Sequence, residues 1–214
     1  MSFLDYLVTN WDHVLRLTLA HAVVVLIAVG VTTLIGVAVG ILVYRRERAA
    51  NVAMAITSTF LTIPSFALFA LALPIFGLGA TSTIIVLIIY GLLPVMRNTV
   101  TGLQAVDPAI SESAEGMGMS ARQRLLRIDL PLAWPVIITG VRVSTMLLLG
   151  IAAIGAAISG PGLGNDIFAG LARLGGANAL NLVLGGILGI VVLALIFDAF
   201  FTLFSKLTTS RGIQ

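Results

Sequence analysis

The sequence predicts an all-α polytopic membrane protein, a bundle of about five transmembrane helices, on three observations. Of its 214 residues, 59% are hydrophobic and only 10% are charged, whereas an ordinary soluble domain is about a quarter charged. Mean hydropathy is +1.12. The apolar residues also gather into runs long enough to cross a bilayer, which takes about 20 helical residues. All spans are expected to form a single membrane domain, residues 1–214. There is no cysteine, which excludes disulfides, thiolate metal sites and thiol catalysis. The N-terminal MSFLDYLVTNWDHVLRL has no basic region of the kind that opens a secretory signal, and none is expected.

Each span follows from where the charges stop. Arg16 and Arg45 bracket a run whose only ionisable residue is His21, giving span one near 17–43. No charged residue lies between Arg48 and Arg97, room for two crossings. Gly77 to Thr81 is the natural break, so span two lies near 52–76 and span three near 80–96. Span four is expected near 132–158 and span five near 181–204, with a short surface helix over Asn165 to Leu174 between them. Small residues crowd spans four and five, among them Gly150, Gly155, Gly185, Gly186 and Gly189, and permit close helix packing.

Lys and Arg mark the cytoplasmic side. Arg45, Arg46, Arg48, Arg97, Arg122, Arg124, Arg127, Lys206 and Arg211 fall on one side, against Arg16 and Arg173 on the other. That places the N-terminus outside, the C-terminus in the cytoplasm, and the long loop of about 98–131 in the cytoplasm. The small basic excess, 12 against 9 acids, is accounted for by this placement and implies no nucleic-acid partner.

That loop carries the most informative stretch, Glu112 to Pro131, ESAEGMGMSARQRLLRIDLP. Asp107 before Pro108 is a helix start. Ser111 to Met119 is expected to be a short amphipathic helix, small-sided at Ala114, Gly116 and Gly118, with Met117 and Met119 as adaptable apolar contacts. Taken alone, such a segment reads as a solvated loop on the headgroups. Its spacing resembles something narrower. Glu112-Ser113-Ala114, then Gly118, then Ile128-Asp129-Leu130-Pro131 resembles the EAA loop of ABC importer permeases, departing only by Ser113 for Ala. The stretches 62–79, 90–108, 114–142 and 158–171 are similar to the small permeases of osmoprotectant importers, those for glycine betaine, choline and carnitine.

The resemblance implies a type I ABC importer permease fold with a cytoplasmic coupling helix. It implies that Glu112, Ser113, Ala114, Met117, Gly118, Met119, Ile128, Leu130 and Pro131 form the joint with a separate ATPase. ATP and Mg would be bound by that ATPase, and no cofactor by this chain. A second permease copy or related chain, an extracytoplasmic substrate-binding protein and the lipid bilayer are the other partners implied. Methionine permeases share the five-span plan, so methionine or another small solute remains an alternative cargo.

Polar groups inside spans mark function or pairing. Arg142 and Asp198 fall at similar depths in antiparallel spans four and five, ~15 and ~12 Å from the cytoplasmic end, and are expected to pair. The pairing can be structural, or one member can line a pathway. Span two carries Pro64, and prolines break helices where transporters gate. Phe60, Pro64, Ser65, Phe66 and Phe69 are therefore pathway or gate candidates, since aromatic faces attract quaternary ammonium groups. The alternative is that the phenylalanines pack or face lipid. The chain has no GxxxxGK[ST] loop, no catalytic set and no metal-ligand cluster, so it is not expected to be an enzyme. An ion-coupled secondary carrier would use Arg142 and Asp198 but leave the Glu112 to Pro131 pattern unexplained.

Overall fold

The computed structural model describes residues 2–208, so Arg211 lies outside the described residues. Among them, every regular element is helical. Ten α-helices follow in order: α1 (Phe3–Thr9), α2 (Trp11–Val43), α3 (Glu47–Thr62), α4 (Ser65–Phe76), α5 (Ala80–Gln104), α6 (Pro108–Gly116), α7 (Ala121–Arg124), α8 (Leu130–Ile154), α9 (Gly164–Leu171) and α10 (Ala179–Thr208). A π-helical turn, Leu125–Asp129, joins α7 to α8, and a 3-10 turn, Gly155–Ile158, extends α8 outward.

Four of these stretches are long and apolar enough to cross a membrane: Trp11–Val43, Ala80–Gln104, Ala121–Ile158 and Ala179–Thr208. The candidate for a fifth crossing differs from the single kinked helix expected over 52–76. α3 and α4 meet at 98° across Ile63-Pro64. The cause is local. Proline disfavours helical geometry in the residue before it, and Ile63 is extended, with φ −74° and ψ 127°. Neither half is long enough alone: α4, with 12 residues, reaches about 18 Å.

Two other boundaries move. Span three does not stop at 96 but continues to Gln104, so Arg97 is an exposed helical residue rather than a loop residue. Span four begins well before 132, because Ile128 sits in the π turn and Leu130 and Pro131 form the first turn of α8. The segment expected as a long loop is thus mostly helix. The outer helix expected over 165–174 ends at Leu171.

α5 lies at the centre, packed between α2 and α8. Val24, Val25, Ala28, Phe69, Val86, Leu87, Tyr90, Leu148, Leu149 and Leu163 make the main core. Contacts there are close because polar groups are paired across it. The Ser144 hydroxyl donates to the Gly91 carbonyl at 3.1 Å. His21, fully buried, holds Nε2 3.0 Å from the Leu149 carbonyl. A carbonyl only accepts, so Nε2 carries the proton. On α10, Ile187, Leu188, Val191, Val192, Leu195 and Ile196 stay exposed, an apolar face left unpartnered within the chain. Its glycines admit close neighbours, with Gly186 and Gly189 against α9 and Leu163, and Gly185 against Tyr6. Gly150 meets nothing within the chain.

The closest approach is at Gly164, where a Cβ would stand 2.0 Å from the Ala153 carbonyl oxygen. Backbone cannot yield as a side chain tip can. Gly164→Ala is therefore expected to destabilise the protein by at least about 1–3 kcal/mol. Gly116→Ala, with nothing within 4 Å, is expected to be neutral or slightly stabilising. Thermal unfolding of the two purified variants in detergent checks the contrast.

Candidate functional site

The segment from 107 to 131 is built from caps inward. Asp107 accepts from the Ala109 amide at 2.8 Å and starts α6, with Pro108 in the first turn. The helix stops at Gly116 rather than reaching Met119. Gly118 stops it, at φ +83°, a left-handed conformation that glycine adopts without steric cost. Its amide donates to the Glu115 carbonyl at 2.9 Å, and the Met119 amide to the Ala114 carbonyl at 3.1 Å. This pair of bonds is the Schellman helix stop. Ser120 then caps α7 with Gln123 in a reciprocal box.

Three of the charges that crowd this segment meet one another, while Glu112, Arg122 and Arg127 stay exposed. Asp129, buried at the end of the π turn, accepts from the Ser111 hydroxyl of α6 at 3.2 Å. Arg124 donates to Glu115 at 2.7 Å and holds Nε 3.9 Å from Asp129 Oδ2, an ion-pair distance too long for a hydrogen bond. Ser111, Glu115, Arg124 and Asp129 thus fasten α6 to the base of α8. Sequence reasoning saw these charges but not the clamp.

Of the residues expected at the joint, Glu112, Ser113, Met117, Gly118 and Pro131 are exposed, with Met117 at 71%. Met119, Ile128 and Leu130 are half-buried. Ala114 is fully buried within the chain. It is not available to an outside surface, and its small size serves the packing of α6 instead.

The break in the second span is held by a residue the sequence did not single out. Tyr90 of α5 donates its hydroxyl to the Ile63 carbonyl at 2.5 Å, satisfying a backbone group that the interrupted helix leaves free. Around it, Pro64 and Phe66 are exposed, and Phe60 and Ser65 are half-buried. Phe69 is 0% exposed and belongs to the core, so it does not line an open path. Phe66, one turn earlier on α4, stays 60% exposed.

Arg142 and Asp198 are brought together: Arg142 Nε donates to Asp198 Oδ1 at 2.8 Å. A second pairing, at the outer end, was missed. His13 Nε2 stands 2.8 Å from Oδ1 of buried Asp166, tying the start of α2 to α9. Burial, and then the Asp166 carboxylate beside it, push the Tyr6 phenol above its ordinary value and keep it neutral. Asn165 donates to the Gly160 and Gly162 carbonyls, both at 2.9 Å, which fixes the turn into α9.

Residues 32–210 match the family described as binding-protein-dependent transport system inner membrane component. The chain belongs to that family. As a permease it has full-length relatives. It is 34% identical over 98% of its length to the choline transport system permease protein OpuBB of Bacillus subtilis, covering 95% of that protein. It is 33% identical to the osmoprotectant import permease protein OsmW of Salmonella typhimurium, with 100% of both chains covered. To the carnitine transport permease protein OpuCB of Listeria monocytogenes it is 37% identical, over 91% of this chain and 84% of that one. Among solved structures, a chain of the inward-facing MetNI methionine ABC transporter superposes with a TM-score of 0.80 at 21% identity, over 92% and 96% of the two chains. An amino acid ABC transporter chain gives 0.76 at 20% identity, over 96% and 98%. These last two likenesses show that the permease has the fold of ABC importer permeases.

The clamp makes a prediction of its own. Asp129→Ala leaves Ser111 without its acceptor and half-buried Arg124 with Glu115 as its remaining carboxylate. Hydrogen bonds to charged groups contribute about 1.5–3 kcal/mol, so amides of residues 109–119 are expected to exchange at least about tenfold faster, with α5 unchanged. Hydrogen-exchange mass spectrometry on the purified permease checks it.

Proposed function

We propose that this chain is the membrane-spanning subunit of an ATP-driven importer of a small osmoprotectant such as glycine betaine, choline or carnitine. The observation that carries the reading is identity of about one third, over essentially the whole chain, to permeases named for those solutes. The loop supports it independently. α6 presents Glu112 and Met117 outward on a helix fixed from behind, an arrangement suited to receiving force from another protein. The exposed ridge of Glu112, Met117 and Gly118 would dock on an ATPase that binds ATP and Mg, and the clamp would pass its movement to α8.

The basic residues set the orientation, with α6 in the cytoplasm and the N-terminus outside. A binding protein would deliver solute at the outer face formed by α9 and the turn before it. Two permease chains would enclose the path, because the broken α3–α4 pair needs a neighbour to complete its crossing. ATP hydrolysis belongs to the partner, as this chain holds no phosphate-binding loop.

Affinity purification of the permease from its native membranes tests the reading. A nucleotide-binding ATPase is expected to co-purify with the wild-type chain. Recovery is expected to fall at least about tenfold with Glu112→Lys or Gly118→Asp, which place opposite charge or a strained side chain at the joint. If wild type and both variants bring down equal amounts of ATPase, or none, the assignment of α6 as the docking helix is wrong.

A further inference from the structure

Arg142 on α8 and Asp198 on α10 lie deep within their spans. Arg142 is 142 − 130 = 12 residues from the start of α8 and Asp198 is 208 − 198 = 10 from the end of α10, or about 18 and 15 Å. Yet the pair is open: 40% of the Arg142 side chain and 44% of the Asp198 side chain are exposed. Charges at that depth are too costly to leave against acyl chains. Their open sides must meet water, a polar guest or a second chain. The bond is also one-sided. Arg142 Nε and Nη2 both address Asp198 Oδ1, at 2.8 and 2.5 Å, rather than gripping both oxygens as the strongest guanidinium–carboxylate pairs do.

We infer that Arg142 and Asp198 form a transfer site for the solute on the translocation path, Asp198 facing a quaternary ammonium and Arg142 taking a carboxylate. The inference rests on the function proposed above. Its logic is charge balance. A zwitterion brings one charge of each sign to a site that already holds one of each. The internal pair can therefore open and exchange partners without stranding a lone charge in the membrane. The solute must displace an existing ion pair, so net binding is weak. Passage requires that weakness, since a site must release what it admits. A cationic solute without a carboxylate would use Asp198 alone.

The permease, reconstituted in liposomes with its ATPase and binding protein, gives the test, reading ATP-dependent uptake of glycine betaine, a zwitterion, and choline, a cation. If the wild type takes up neither, the functional reading itself fails. If it is active, Arg142→Gln is expected to slow glycine betaine at least about tenfold more than choline, and Asp198→Asn to slow both. Arg142→Gln with Asp198→Asn, which leaves no unpaired charge, is expected to stay slow for both solutes. Wild-type rates in that double variant would mean that the pair only holds the fold, and equal losses of the two solutes in Arg142→Gln would also overturn the site.

A second measurement leaves the pair intact and does not depend on variants that lose a charge. The chain has no cysteine, so Thr139→Cys and Met146→Cys, one turn either side of Arg142, give single reporters. A membrane-impermeant thiol reagent, applied to the assembled complex in detergent, is expected to label them, more slowly with glycine betaine present than with sucrose. No labelling would show the face sealed by lipid or a second chain. Labelling indifferent to the solute would show water without a solute site. Either result overturns the proposal.

Discussion

In hydrocarbon no polar group can be left to water, and most of this structure follows from that constraint. Helices satisfy their own backbone. Where α3 breaks into α4 the backbone is freed, and Tyr90 reaches across from α5 to the Ile63 carbonyl. His21 closes on the Leu149 carbonyl and Ser144 on that of Gly91. Threonines fold back onto their own helices, as Thr99 does to Val95 and Thr145 to Val141, each at 2.8 Å. Each bond between helices also fixes a register. Helix association in lipid lacks the usual hydrophobic drive, so these few polar ties and the glycine contacts carry specificity that a soluble core would take from burial.

The polar segment that holds α6 solves the opposite problem. A helix lying in water beside the membrane has little to bury, and α6 has only nine residues, below the length at which isolated helices are stable. Its order comes from both ends and from beneath. Asp107 caps it, Gly118 stops it, and Ser111 and Glu115 hold it through Asp129 and Arg124. The π turn sets the direction of that hold. Its extra residue per turn brings Asp129 under α6 while α7 and α8 continue as one rod. A cleft of about 230 Å³ between Asp107, Ile110, Leu132 and Val136 leaves room at the root of α6.

Much of this was legible in the sequence where one residue type admits one conformation. Asp107 announced the start of α6, whereas Gly118, expected inside the helix as a small side, is what stops it. Pro64 announced a break, although not its angle. Arg142 and Asp198 stood out because charges are rare in spans, and two antiparallel helices set them level. Other features could not be read. Phe66 and Phe69 are chemically alike, and which one meets the core depends on where α5 lies. His13 and Asp166 are 153 residues apart, and neither stands in an unusual local pattern. Arg97 was taken to end a span, but a helix continues past the bilayer surface at no cost when its exposed side is charged.

One element links the handle to the outer face. From Ala121 through Ile158 the chain is a continuous helical rod of 38 residues, about 57 Å long. Near its inner end it carries Asp129, which holds α6. At mid-depth it carries Arg142. Further out the Leu149 carbonyl receives His21, and the Ala153 carbonyl packs directly against Gly164. A packed interior resists compression and transmits displacement. A tilt imposed on α6 therefore reaches the mid-membrane charge pair and the outer turn together, rather than dissipating through flexible loops. At Gly164 the contact with Ala153 is backbone against backbone, with no side chain to absorb motion. That stiffness is what the proposed docking of an ATPase on α6 would need in order to act across the membrane.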